Sequence, residues 1–318
     1  MDMLALIIST MIYSAAPIML VALGGLFSER SGVINIGLEG LMVIGAFTVI
    51  VTTLTLEASG VGAVSVWIGL AAAAVLGAIF SLFHAVASIH FRADQVVSGV
   101  ALNFLAVGVA VYAIKLLYDG SGQTAYISNR FYRFNLPYLS EIPVIGPLFF
   151  SNVYATSFLA FALALLVYYV IYYTPFGLRL RSVGEHPQAA DTMGIKVLRM
   201  RYIGVMLSGV FGGLGGAVFA ATFSGNFSAT TIAGQGFMAL AALIFGKWHP
   251  LGVIGAALFF GLAQALGVVG PSLPFLSNVP PVFLLMAPYV LTILALAGFV
   301  GRADGPKALG APYIKGAR

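Results

Sequence analysis

Long apolar segments alternate with short polar ones along the whole chain. A helix needs about 20 apolar residues to cross the hydrocarbon core of a bilayer. The pattern therefore predicts eight full spans, at residues 4–27, 33–56, 63–89, 95–117, 153–173, 202–223, 251–269 and 282–300. A turn with Pro271, Pro274, Pro280 and Pro281 separates the last two spans. The predicted fold is an all-α polytopic membrane protein with a single transmembrane domain, residues 1–318.

The apolar run Gln235–Phe245 is too short for a full span, because its 11 residues make only about 16 Å of helix. It is either a re-entrant half-helix or the end of a crossing that the irregular residues 224–234 begin. Irregular backbone survives at that depth only inside protein or beside a cavity. Counted as a crossing, this run raises the predicted total to about nine.

Asn35 and Glu39 interrupt the second apolar segment and lie four residues apart, on one face of a helix. A carboxylate in mid-span costs about 2.5–3.5 kcal/mol on insertion scales and normally faces a bundle interior or a water-filled cavity. Alternatively, Glu39 reaches the membrane surface or pairs with Arg30. Residues 39–42 (EGLM) also resemble residues 235–238 (QGFM), which indicates a possible inverted repeat whose half-helices meet around a substrate.

Two further spans carry patterned polar or small residues. In the fourth span Gln95, Gly99 and Asn103 form one stripe. We expect Gln95 to be structural, whereas Asn103 either lines a cavity or joins helices through hydrogen bonds. In the sixth span, small residues at every fourth position predict a surface for close helix approach: Ser208, Gly212, Gly216, Ala220 and Ser224.

Composition narrows the function classes. The 318 residues are 60% hydrophobic and 8% charged, against about 25% charged in soluble domains. The sequence has no cysteine, which excludes disulfides, thiol catalysis and cysteine-held metals. Its four histidines lack metal-ligand spacing, and neither a catalytic constellation nor a GxxxxGK[ST] phosphate loop occurs. We therefore expect no enzymatic activity, no metal and no cofactor in this chain, and its net charge of +5 does not indicate nucleic-acid binding.

Loop charges predict the orientation. If residues 174–201 are cytoplasmic, alternating spans put 12 of the 15 Lys and Arg residues inside, including those of the tail 301–318. Lys115, Arg130 and Arg133 then lie outside, the two arginines in the polar loop 118–151. The N-terminus is predicted outside and the C-terminus inside. Within residues 174–201, Pro187 and Gly194 bracket a short helix that lies on anionic lipid or docks a soluble partner.

Three segments make the chain recognisable: ERSGVINIGLEGLMVIGAF, GLRLRSVGEHPQAADTMGI and GQGFMALAALIFGKWHPLGV. The chain resembles the permease subunits of ABC importers for branched-chain amino acids, simple sugars and nucleosides, and is most similar to bacterial nucleoside permeases. The resemblance implies a nucleoside path through the plasma membrane. Nucleosides require hydrogen bonds and ring stacking, so the candidate path residues are Asn35, Glu39, Asn103, Phe104, Phe223, Asn226, Phe227, Gln235 and Phe237.

The resemblance also implies partners. The short cytoplasmic helix would be a coupling helix that docks on an ATP-binding subunit, through Glu185, His186, Pro187, Ala189, Ala190 and Gly194. A related second permease would complete a heterodimer, an extracellular substrate-binding protein would deliver the nucleoside, and ATP would bind only to the partner subunit. Two alternatives stay open: an ion-coupled secondary transporter with Glu39 as its proton site, and an ABC permease for simple sugars or branched-chain amino acids.

Overall fold

The computed structural model describes residues 2–273, 279–298 and 305–316. Two short strands, β1 (Arg133–Phe134) and β2 (Val153–Tyr154), pair antiparallel. The remaining regular structure is helical: α1 (Asp2–Arg30), α2 (Leu38–Ala58), α3 (Ser65–Ala85), α4 (Gln95–Leu117), α5 (Ala155–Tyr173), α6 (Pro175–Glu185), α7 (Pro187–Thr192), α8 (Val197–Phe219), α9 (Gln235–Phe245), α10 (Pro250–Val269) and α11 (Pro281–Gly298), with short π or 3₁₀ turns at residues 86–90, 146–150, 220–224 and 270–272.

Within the described ranges, seven helical segments are long and apolar enough to cross a membrane, and they contain α1, α2, α3, α4, α5, α8 and α10. The 18-residue α11 is also apolar, and α9 is a shorter apolar helix of 11 residues. The prediction of an all-α, multi-pass membrane protein is therefore confirmed.

Most helix boundaries follow the hydrophobic pattern, and two do not. The helix α2 begins at Leu38, later than the expected residue 33, because residues 31–37 form an irregular segment that we call the first break. The helix α8 begins at Val197, before the expected residue 202, because charged side chains at its start end the apolar run without ending the helix. Predictions for Pro274, Arg302, Arg318 and the end of the last span, residues 299–300, lie outside the described residues.

One end of the bundle, the hairpin end, carries residues 118–154. There the carboxylate of Glu57, at the end of α2, accepts hydrogen bonds from the backbone N–H groups of Ser128 and Asn129 at 3.1 and 2.6 Å. Residues 225–234, which we call the second break, begin at this end. Thr124 N donates to Phe227 O at 2.9 Å, and Phe227 N donates to Thr124 Oγ1 at 3.0 Å.

The opposite end, the α7 end, carries α6, α7 and residues 305–316. Arg30, at the end of α1, donates through Nε and Nη2 to Trp248 O at 2.9 and 2.7 Å. Trp248 follows α9, so residues 225–245 run from the hairpin end to the α7 end of the bundle. Ala308 N donates to Gly184 O at 2.9 Å, which holds the C-terminal segment at this same end.

The small residues of α8 pack against other helices of this chain, so the stripe predicted from the sequence is an internal helix-packing surface. A Cβ at Gly212 would lie 2.7 Å from Leu41 Cβ, and one at Gly216 would collide with the backbone of Met42 in α2. On the adjoining face, Gly213 approaches the backbone of Ala73 in α3. Glycines allow this closeness because no side chain separates the backbones. The helix α8 thus lies at the centre of the bundle and positions α2 beside it.

Candidate functional site

The backbone of the first break is held by polar side chains from neighbouring helices. Ile34 N donates to Gln95 Oε1 at 2.7 Å, and Ile34 O lies 2.9 Å from His84 Nε2. The other ring nitrogen of His84 lies 3.0 Å from Ser98 Oγ. Irregular backbone at this depth has to be satisfied inside the protein, and Gln95 has the structural role expected from the sequence.

Asn35 and Asn103 complete the support of this break. Asn35 is fully buried; its Nδ2 donates to Ser208 Oγ at 2.8 Å, and its Oδ1 accepts from Gly37 N at 3.0 Å. Asn103 Oδ1 accepts from Gly40 N at 2.7 Å, while its Nδ2 donates to Ile36 O at 3.1 Å. Both amides are therefore engaged by neighbouring helices and by the backbone groups that the break leaves without helical partners.

Glu39, the second residue of α2, joins the helix after the first break to the second break and the start of α9. Its Oε1 accepts from Gly234 N at 2.7 Å, and its Oε2 accepts from Gly236 N at 2.6 Å. These N–H groups lie at the start of α9, where a helix has unpaired donors and a partial positive charge. Of the two structural alternatives, surface exposure does not apply because Glu39 is only 8% exposed, and Arg30 hydrogen bonds to Trp248 O instead.

Glycines make this contact possible. A Cβ at Gly236 would lie 2.5 Å from Glu39 Cα, so any side chain there would separate α9 from α2. Gly234 has φ of +79°, a left-handed conformation that glycine adopts without strain. The two segments that resemble each other in sequence, residues 39–42 and 235–238, thus meet in space at Glu39 and Gly236.

A cavity of about 330 Å³ lies beside the start of α9. That volume falls within the usual range for small-molecule sites, about 300–1,000 Å³. Among the predicted path residues, Phe223 and Gln235 line it. The sequence reasoning missed the other lining residues, among them Ser14 on α1, Phe219 on α8, Gln264 on α10 and Tyr289 on α11.

The cavity combines an aromatic wall with hydrogen-bonding groups. The rings of Phe219 and Phe223 stack with their centroids 4.9 Å apart and an interplanar angle of 22°. Gln264 Nε2 donates to Gln235 Oε1 at 2.8 Å. Ser14 is fully buried, and its hydroxyl has no hydrogen-bond partner within the described ranges. Such a lining suits a neutral ligand with a flat ring and several polar groups.

The other predicted path residues lie outside this cavity. Phe104 and Phe237 are 76% and 49% exposed on the outer faces of α4 and α9. Phe227 is buried and packs against Phe47, with ring centroids 5.7 Å apart. Asn226 is partly buried in the second break. Helical spacing alone did not separate these positions from Phe223 and Gln235.

The predicted coupling residues lie together at the α7 end. Pro187 is the first residue of α7, and Gly194, just past its end, has φ of +80°, as expected for a helix stop. Ala190 is buried at 4% exposure, whereas Ala189 and His186 are exposed. Glu185 Oε2 accepts from Lys307 N at 3.4 Å. The structure thus separates the residues that hold α7 in place from those that face outward.

The C-terminal segment 305–316 connects α7 to the first break. Tyr313 lies beside Asp191 of α7, and burial together with this neighbouring carboxylate raises the pKa of the Tyr313 hydroxyl. Arg201 Nη1 donates to Ala311 O at 2.8 Å. Gly310 N donates to Gly32 O at 3.2 Å. This segment therefore lies between α7 and the first break.

Across the described residues, no group of three or more His, Asp or Glu side chains is arranged to hold a metal ion. The polar groups around the two breaks are instead amides, hydroxyls, the His84 imidazole and the Glu39 carboxylate, which is engaged by backbone N–H groups. This arrangement can bind and release a polar solute between helices, and broken helices that meet inside a helical bundle are typical of membrane transport proteins.

The chain belongs to the family described as branched-chain amino acid transport system / permease component, whose sequence model matches residues 7–296. It is 59% identical to the guanosine ABC transporter permease protein NupQ of Bacillus subtilis (strain 168), over 100% of this chain and 99% of the relative. It is 49% identical to the nucleoside ABC transporter permease protein NupC of Lactococcus lactis subsp. cremoris (strain MG1363), over 98% of each chain.

A more distant relative is the guanosine ABC transporter permease protein NupP of the same Bacillus strain, 24% identical over 75% of this chain and 67% of the relative. The recognised resemblance to ABC permeases is therefore confirmed, and the chain is a transport subunit rather than an enzyme.

Proposed function

We propose that this chain is the permease subunit through which an ATP-driven ABC importer moves nucleosides across the bacterial plasma membrane. The observation that carries the proposal is full-length similarity to permeases of guanosine and nucleoside ABC transporters. The cavity beside α9, with its stacked rings and amides, fits a nucleoside in size and chemistry.

We further propose nine crossings and an inverted repeat. The second break and α9 together run from the hairpin end to the α7 end, which supports a crossing rather than a re-entrant loop. The contact of Glu39 with Gly234 and Gly236 supports two half-helices that meet inside the bundle. With the α7 end cytoplasmic, the N-terminus is outside and the C-terminus inside, in agreement with the distribution of Lys and Arg.

Among the predicted path residues, we assign Phe223 and Gln235 to direct contact with the solute. We assign Asn35, Glu39 and Asn103 to supporting the path without direct contact with the solute, because their polar atoms already form hydrogen bonds with α8, α9 and the residues around the two breaks. This engagement also disfavours an ion-coupled mechanism with Glu39 as the proton site. Phe104, Phe237 and Asn226 are then assigned to surfaces or loops around the path.

The partners follow from the same proposal. We assign α7 as the coupling helix that docks on a cytoplasmic ATP-binding subunit, through the exposed residues His186, Ala189 and Gly194 together with Glu185, while Pro187 and Ala190 hold the helix in place. The second permease subunit is a relative of this chain, as the distant similarity to NupP supports. An extracellular substrate-binding protein would dock at the hairpin end.

Reconstituted uptake tests the proposed function. Proteoliposomes that contain this chain, its second permease and the ATP-binding subunit receive the loaded binding protein. We expect uptake of guanosine that requires internal ATP and persists when a protonophore collapses the proton gradient. Uptake that follows the proton gradient without ATP, or that occurs only with sugars or branched-chain amino acids, would overturn the proposal.

A further inference from the structure

The side-chain amides of Gln235 and Gln264 meet inside the cavity. Gln264 Nε2 donates to Gln235 Oε1 at 2.8 Å and lies 3.9 Å from Met238 Sδ. Gln235 Nε2 and Gln264 Oε1 have no hydrogen-bond partner in the part of the chain that the structure describes. The pair therefore presents one unused donor and one unused acceptor to the cavity.

The free donor and the free acceptor of this pair can exchange places at little cost in free energy. An amide side chain has two N–H donors and one carbonyl acceptor, and rotation about its terminal bond exchanges the two ends. When both amides rotate, Gln235 Nε2 donates to Gln264 Oε1 and the hydrogen bond of the pair is retained. The free donor then lies on Gln264 and the free acceptor on Gln235. The contact with Met238 Sδ is lost, and thioether sulfur is a weak acceptor.

Nucleobases present complementary patterns. Guanine and uracil carry a carbonyl acceptor next to a ring N–H donor, whereas adenine and cytosine carry an amino donor next to a ring nitrogen acceptor. Proteins that bind unpaired bases read this edge through hydrogen bonds and stack the ring on aromatic side chains. Phe219 and Phe223 provide such a wall.

We propose that Gln235 and Gln264 form a reversible amide pair that binds the hydrogen-bonding edge of the nucleobase and accepts both keto and amino bases. The proposal rests on the proposed nucleoside transport and adds to it the contact residues and the selectivity of the cavity. The permease is then permissive among nucleosides, because one pair of side chains offers the donor and the acceptor in either order.

Replacing Gln264 by glutamate fixes the pattern. Gln235 Nε2 then donates to the carboxylate, and the remaining free groups, the second carboxylate oxygen and Gln235 Oε1, are both acceptors. Guanine has two adjacent donors on its edge and fits this pattern, whereas adenine brings an acceptor against an acceptor. We expect Gln264→Glu to raise the ratio of guanosine to adenosine uptake roughly tenfold relative to the unchanged chain.

The experiment compares this ratio in proteoliposomes that contain the complete transporter. The same binding protein, loaded with each nucleoside at saturation, is present in every arm. Its own preference therefore affects the variant and the unchanged chain equally and cancels when their uptake ratios are compared. Gln264→Met provides a second variant with nearly the same volume and no hydrogen-bonding edge. We expect it to reduce uptake of both nucleosides without changing their ratio. Gln123→Glu makes the same chemical change on the exposed loop at the hairpin end and should leave the ratio unchanged.

The outcomes separate the two proposals. Guanosine uptake by the unchanged chain, combined with an unaltered ratio in Gln264→Glu and normal uptake in Gln264→Met, would overturn the amide pair and leave nucleoside transport standing. If Gln264→Glu does not fold, normal transport by Gln264→Met that is monodisperse in detergent would also overturn the amide pair and leave nucleoside transport standing. No nucleoside uptake by the unchanged chain would overturn the proposed function and this inference with it.

Discussion

At the scale of single residues, Glu39 connects the two halves of the bundle. Both carboxylate oxygens accept backbone N–H groups at the start of α9, so the side chain offsets its own burial and stabilises the end of a short helix. A cost of about 2.5–3.5 kcal/mol for a mid-span carboxylate was the reason to single it out in the sequence. No sequence pattern indicated its hydrogen-bond partners, which lie 195 and 197 residues away along the chain.

Glu39→Gln tests this role. A neutral amide can accept from only one of the two N–H groups and turns its own NH₂ toward the other. We expect a loss of stability of about 1.5–3 kcal/mol, the range for hydrogen bonds to charged groups, seen as a lower temperature of aggregation in detergent. Glu57→Gln is the matched control, because Glu57 accepts backbone N–H groups in the more exposed hairpin end. Equal shifts in the two variants would contradict the special role of Glu39.

Gln264 shows the limit of residue-level reasoning. It is a single amide in an apolar helix, outside every motif and stripe that the sequence displays. In a membrane-embedded bundle, such an amide can join two helices through a hydrogen bond as readily as it can contact a ligand. Gln264 belongs to a candidate site only because it lies opposite Gln235, which precedes it by 29 residues in the chain.

At the scale of elements, α7 has one face against the protein and one face outward. The family resemblance implied that Ala189, Ala190 and Gly194 all contribute to docking, and the structure gives them different environments. Ala190 is buried, so a large charged residue there disturbs the fold itself. Ala189 is exposed. A Cβ at Gly194 would meet no neighbour within 4 Å, but the positive φ of this glycine makes substitution there strained for a separate reason.

Ala189→Arg is therefore the sharper test of docking on the ATP-binding subunit. We expect the variant permease to be monodisperse in detergent but to lose most of its co-purification with the ATP-binding subunit, because the added side chain occupies the contact surface. Ala125→Arg introduces the same residue at an exposed position of the hairpin end and should co-purify normally. Normal co-purification of Ala189→Arg would remove α7 from the interface.

The C-terminal segment 305–316 is a second element with a testable role. It contacts α7 through Tyr313 and Asp191, and it contacts the first break through Gly310 and Gly32. We expect a chain that ends at residue 304 to transport less nucleoside per ATP hydrolysed, because the link between α7 and the first break is lost. A chain that lacks only residues 317–318 is the control. An unchanged transport-to-ATP ratio in the shorter chain would show that the segment is dispensable.

At the scale of the whole molecule, the absence of cysteine from the sequence permits direct mapping of the nine proposed crossings. Single cysteines at Gln123, Ala229, Gln188 and Lys247, all exposed positions, are labelled in intact cells with a membrane-impermeant maleimide. We expect labelling from outside at the first two positions and protection at the last two. If Ala229→Cys and Lys247→Cys are labelled from the same side, α9 is re-entrant and the count of crossings falls.

The sequence by itself determined the class of the fold and the approximate position of most helices. Burying apolar side chains in lipid requires long apolar helices, and that requirement is local: α4 and α9 begin and end at the residues that the hydrophobic pattern indicated. The family was also readable in three segments, because the residues that shape the breaks and α7 are contiguous in the chain.

Only the tertiary structure decided what the polar residues do. Hydrogen bonds join atoms that lie within about 3 Å in space whatever their separation in sequence, so the partners of Asn35, Glu39 and Asn103 depend on how the helices pack. The close contacts of glycines in α8 with α2 and α3 set that packing. The approach of Gly236 to Glu39 then brings α9 against α2, and the cavity in which Gln235 and Gln264 meet lies beside α9.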